Sequence, residues 1–136
     1  VPMVYYGDEV GMMGENDPDC RAPMVWDPEA QDRDLLRWHR QLIGLRKAHP
    51  ALRRGTIQTI LTGHDVFAFV REYGADGVVV VLNRGTAPEL VQLPADCWRG
   101  RPYLADQLTG RSWAAPEPID VAGRSALILS TDPSGI

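Results

Sequence analysis

The side chains able to do chemistry are crowded into the first 26 positions. Asp8, Glu9, Glu15, Asp17, Asp19 and Arg21 share a loop with Gly7, Gly11 and Gly14, directly after the apolar run Val1-Pro2-Met3-Val4-Tyr5-Tyr6. Asp8 and Glu9 invite a reading as a catalytic carboxyl pair, but neighbouring side chains on an extended segment diverge. Glu15, Asp17 and Asp19 alternate as in a calcium loop. The other oxygen ligands are missing, including the bidentate Glu at the twelfth position. Asp17 and Arg21 are better suited to a ligand. They stand four residues apart, with Pro18 stiffening the turn between them. A carboxylate that accepts and a guanidinium that donates can grip the vicinal hydroxyls of one sugar. The plainer role for the same two residues is a salt bridge that only fixes the turn. Cys20 lies beside Arg21, and a cationic neighbour lowers a thiol pKa, but no His or Asn is placed to make it a nucleophile. His39, His49 and His64 are scattered without metal-ligand spacing. No cofactor and no metal is expected.

The rest of the chain reads as support for this loop. Of its 136 residues 44% are hydrophobic and 24% charged, which suits one globular unit, or one domain plus a piece of another. The net charge of -4 argues against a nucleic-acid partner. Cys20 and Cys97 lie far apart and read as two reduced thiols. No apolar run reaches the roughly 18 residues of a membrane helix, and the first residues lack the basic leader of a signal peptide. The expectation is a cytoplasmic protein with no membrane partner. With no initiator Met, the chain is expected to be part of a longer product.

Residues 3–6 are apolar, β-branched or aromatic and end at Gly7, which fits a short buried strand of a parallel sheet. Asp27-Pro28-Glu29 signals a helix start, with Asp32 as an alternative cap for the main helix. Leu35, Leu36, Trp38, Leu42, Ile43 and Leu45 recur at helical spacing, and His49-Pro50 ends the helix. The period then changes to two. Strands are expected at Thr56–Leu61, Val66–Glu72, Val78–Asn83, Glu89–Leu93, Pro102–Asp106, Ser112–Ala114, Ile119–Val121 and Ala126–Ser130, separated by turns. Val78–Asn83 should be a central strand buried on both faces. Trp98 and Trp113 fall in this region and are expected in its core, although exposure would make them a surface sugar site.

These elements carry a resemblance. Pro2-Met3-Val4-Tyr5-Tyr6-Gly7-Asp8-Glu9 resembles the last barrel strand and following loop of the α-amylase superfamily, glycoside hydrolase family 13. Asp17-Pro18-Asp19-Cys20-Arg21, Pro23-Met24 and Trp26 are similar to its neopullulanase, cyclomaltodextrinase and maltogenic amylase branch. Leu42-Ile43-Gly44-Leu45-Arg46-Lys47-Ala48-His49-Pro50-Ala51-Leu52-Arg53-Arg54-Gly55 resembles the last barrel helix and its exit. The resemblance covers the whole chain, with specific motifs in the first 55 residues.

It implies a mainly β chain: a C-terminal antiparallel β-sandwich of Greek-key type, preceded by the last strand, loop and helix of a (β/α)8 barrel. The implied division is residues 1–50 for the barrel unit and 51–136 for the sandwich. It also implies a parent enzyme that hydrolyses α-glucosidic bonds with retention, through a glycosyl–enzyme intermediate. The family's three catalytic carboxylates belong to earlier strands, so this chain alone should be inactive and its catalytic residues are none. Asp17 and Arg21 then resemble the pair that holds a glucose on the non-reducing side of the cleavage point. Glu9 looks structural, and Tyr5 and Tyr6 look like barrel core, with Trp26 undecided. The partner is an α-glucan or maltooligosaccharide. Two rival readings remain: an α-glucan transglycosylase or trehalose-synthase-like isomerase of the same superfamily, and a stand-alone carbohydrate-binding or interaction module. A strand at 3–6 without neighbours should leave residues 1–26 disordered, re-paired against the sandwich, or paired with another copy of the chain.

Overall fold

The computed structural model describes residues 2–130; Val1 of the opening apolar run lies outside them. Two compact units divide between Gly44 and Leu45, within the long helix.

The second unit is built from short strands. β1 (Thr56–Thr62), β2 (Val66–Tyr73), β3 (Asp76–Asn83), β4 (Glu89–Val91), β5 (Tyr103–Asp106), β6 (Ser112–Ala114), β7 (Ile119–Val121) and β8 (Ser125–Ser130) follow in order. Six of them form an antiparallel sheet in the order β1-β2-β3-β8-β5-β6, and β4 pairs with β7. The register explains the alternation in the sequence. Val70, Val79 and Leu129 stand side by side, as do Ala68, Val81 and Leu127. They share one core with Val91, Leu93, Trp98, Leu104, Trp113, Ile119 and Val121. Trp98 and Trp113 are therefore core residues, 3% and 6% exposed. Asp106 and Asn83, buried polar side chains in this unit, are hydrogen-bonded, as burial demands. Asp106 accepts from Ile128 N at 2.9 Å and from Thr109 Oγ1 at 2.7 Å, which ties the β5 end to β8. Asn83 donates to Ala87 O and Val121 O.

β3 does lie between β2 and β8, but it is not buried on both faces along its length. Val78, Val79 and Val81 are buried, whereas Leu82 is 39% exposed beside the half-exposed Phe67 and Val80. A β-branched run reports a fit to a pleated sheet, not which faces find a cover.

The long helix α1 (Arg33–Ala48) is capped by Asp32, whose Oδ1 accepts from Leu35 N at 2.9 Å. The Asp27-Pro28-Glu29 signal makes only a single 3-10 turn, Pro28–Ala30, closed by Asp27 accepting from Glu29 N. A second helix, α2 (Pro50–Arg54), follows at once. Pro50 ends α1, yet at the first position of a helix its missing N–H costs nothing.

The expected strand at residues 3–6 does not form. Met3, Val4, Tyr5 and Tyr6 are all more than 40% exposed, so the two tyrosines are not core here. A strand needs a neighbour for its backbone groups, and no described segment pairs with this one. Residues 7–26 are not left without structure. They fold locally into turns, with Gly7 O accepting from both Val10 N and Met12 N.

Candidate functional site

The loop is held by its own short-range bonds. Asp8 accepts from Tyr5 N at 2.9 Å and Glu9 accepts from Gly7 N at 3.0 Å. Both carboxylates thus brace the turn at Gly7, whose φ of 90° suits a residue without a Cβ. Further along, Asn16 O accepts from Asp19 N, Pro18 O from Arg21 N and Asp19 O from Ala22 N. These bonds build the 3-10 turn Asp19–Arg21.

That turn aims Arg21 at Asp17. Nε donates to Oδ1 at 2.9 Å and Nη2 donates to Oδ2, a two-pronged contact. The hydrogen bond to Asp17 also holds the Arg21 pKa above its ordinary value. Both side chains stay open to solvent, 64% for Arg21 and 58% for Asp17. The pairing leaves three of the five guanidinium N–H groups and about half of the carboxylate lone-pair sites unused by Asp17 and Arg21 themselves. A neutral ligand rich in hydroxyls can use both sets at once.

A cleft of about 190 Å³ opens beside the turn, lined by Tyr5, Tyr6, Met12, Met13, Cys20 and Ala22 among others. The two tyrosine rings lie 4.7 Å apart, and Tyr6 Oη donates to Ala22 O at 2.9 Å. Desolvation and then Tyr5 push the Tyr6 pKa up, in keeping with a hydroxyl that donates. This bond links the apolar run to the Arg21 turn. Sequence reasoning missed it, because a tyrosine expected in a core gives no hint of its hydroxyl partner.

The other candidate residues are spread out. Trp26 is 80% exposed. Cys20 is an exposed free thiol, while Cys97 is buried and its pKa is pushed up to about 11, chiefly by desolvation. Among the described residues, no group of three or more His, Cys, Asp or Glu is placed to hold a metal. His39 contacts Leu35 O, and His64 lies by Asp65. His49 has the partner that the sequence did not reveal. Its Nδ1 is 2.9 Å from Asp76 Oδ1, while Asp76 Oδ2 accepts from Ala51 N at 2.7 Å. The free N–H groups at the start of a helix led by Pro50 were the available signal.

Known proteins can now be set beside this geometry. No family model matches the chain. A cyclomaltodextrinase from Geobacillus thermopakistaniensis is 41% identical over 116 residues, covering 84% of this chain and 19% of the relative. Neopullulanase 2 of Thermoactinomyces vulgaris is 40% identical over 111 residues, covering 80% of this chain and 19% of the relative. A solved cyclomaltodextrinase structure superposes with a TM-score of 0.83 at 33% identity, covering 95% of this chain and 23% of that one. The chain belongs to the α-amylase superfamily, glycoside hydrolase family 13. Its strands match the C-terminal β-sandwich of the family's enzymes. This family member spans only about a fifth of the length of the curated relatives it matches. Among its described residues, no helix is long and apolar enough to cross a membrane.

Proposed function

We propose that this chain is the C-terminal part of a retaining glycoside hydrolase acting on α-glucans. Residues 1–50 supply the last unit of the catalytic barrel and residues 51–136 the stabilising sandwich. The observation that carries the reading is the exposed Asp17–Arg21 pair beside an aromatic cleft, in a chain whose relatives are named cyclomaltodextrinase and neopullulanase. Loops that follow barrel strands at the C-terminal face build the active site in such folds. Here Asp17 accepts from one sugar hydroxyl and Arg21 donates to its neighbour, fixing a glucosyl unit of a maltooligosaccharide.

The reaction itself needs two carboxyl groups about 5 Å apart, one a nucleophile and one an acid. Asp8 and Glu9 are engaged in their own turn, so the catalytic carboxyls come from polypeptide preceding this segment. The chain's own work is to bind and orient substrate. A cytoplasmic setting fits its two free thiols and a Bacillus subtilis relative named intracellular maltogenic amylase.

The test is Arg21→Ala in the longer enzyme. Loss of charge-assisted hydrogen bonds should raise KM for maltotriose about tenfold or more. An unchanged KM would remove the grip from the account.

A further inference from the structure

Gly14 has no unusual backbone angle, since it is absent from the positive-φ glycines, so conformational freedom is not why a glycine stands there. Its surroundings give the reason. A Cβ built at Gly14 would lie 3.0 Å from Cys20 Cα and 3.1 Å from Asp19 O. Both are backbone atoms, which cannot swing aside as the end of a flexible side chain does. Position 14 is thus packed against the turn that carries Arg21.

That turn has little slack. Arg21 N is bonded to Pro18 O, and Ala22 N to Asp19 O, so a push on Asp19–Cys20 moves the Arg21 backbone with it. The two prongs on Asp17 depend on the direction of the guanidinium plane. Small errors of placement in a binding group are costly to catalysis.

We infer that Gly14 is a positioning residue for the Asp17–Arg21 grip: its missing side chain lets the chain close on the Asp19–Arg21 turn and sets the angle at which Arg21 meets Asp17 and the sugar. This rests on the sugar-grip reading above. Glycine is required by close approach, so the effect should grow with side-chain size, from Gly14→Ala to Gly14→Val.

Two measurements test it. In the longer enzyme, Gly14→Ala should raise KM for maltotriose several-fold, with a smaller change in kcat and an unchanged melting temperature. Combined with Arg21→Ala, it should add nothing to the KM of Arg21→Ala alone, because both act through the same guanidinium; a general structural defect would add. In the 136-residue chain, the Arg21 Nε–Hε proton resonance should shift in Gly14→Ala while sandwich amides stay in place as the folding control. If Arg21→Ala raises KM and Gly14→Ala does not, the inference is overturned and the grip stands. If Arg21→Ala itself leaves KM unchanged, the grip reading fails, and the Nε–Hε resonance alone decides whether Gly14 positions Arg21.

Discussion

The sandwich and the loop of residues 7–26 hold their shapes in opposite ways. In the sandwich, side chains from β2, β3, β7 and β8 converge on one core, with Ala68, Val81, Ile119, Val121 and Leu129 each 0% exposed. In the loop, Val10 is the only buried large apolar side chain, and shape comes from hydrogen bonds spanning two to five residues. The longer bonds run from Tyr6 Oη to Ala22 O, from Asp32 N to Val10 O and from Gln31 Nε2 to Val25 O. The difference teaches where function can sit. A core residue is committed to its neighbours, whereas Asp17 and Arg21 bond each other and still face solvent. Binding residues commonly occupy loops carried by a rigid scaffold for this reason.

The comparison can be broken at either end. The largest effect on stability should come from Leu129→Ala, which empties a fully buried site between β3 and β5. A loss of about 3 kcal/mol is expected in urea unfolding of the chain; a loss below about 1 kcal/mol would mean that the core is looser than described. Next comes Asp76→Ala. It removes the partner of both His49 and Ala51 N, and should cost about 1–3 kcal/mol. Full retention of stability would show that α2 needs no cap from β3.

Arg21→Ala should separate the two regions most sharply. Its side chain is exposed, so unfolding of the chain should change by no more than about 0.5 kcal/mol even as substrate affinity in the longer enzyme falls. A large loss of stability would make the pair a structural bridge. The smallest expected effect is in acid. Trp113 Nε1 and then Arg111 donate to Asp120 and hold its carboxyl below the ordinary value. Since the folded pKa is lowered, this contribution is complete above the ordinary carboxylate range near pH 4 and is lost as pH falls through the folded value. Asp120→Asn should therefore flatten the dependence of the urea midpoint on pH below about pH 4, and an unaltered slope would count against it.

How much of this was legible in the sequence also follows the division. All eight strands could be read from alternation and turn residues, because each strand's pattern is imposed by a core built from the same segment of chain. Asp17 and Arg21 could be read because their meeting depends on a four-residue spacing. What could not be read was set by partners. The run at 3–6 has strand composition but no strand to pair with, and Tyr5 and Tyr6 end up exposed. Asp76 lies between two expected strands, and its bonds to Ala51 N and His49 exist only once α2 is in place. Gly14 looked like one loop glycine among several, and its contact with Cys20 Cα is visible only in three dimensions.

The central claim is that this chain binds and braces but does not carry the catalytic carboxyls. Incubating the purified 136-residue chain with maltotriose and counting new reducing ends tests that directly. The account predicts no release above the buffer control. Turnover that survives purification and is lost in Asp8→Asn or Glu9→Gln would contradict it.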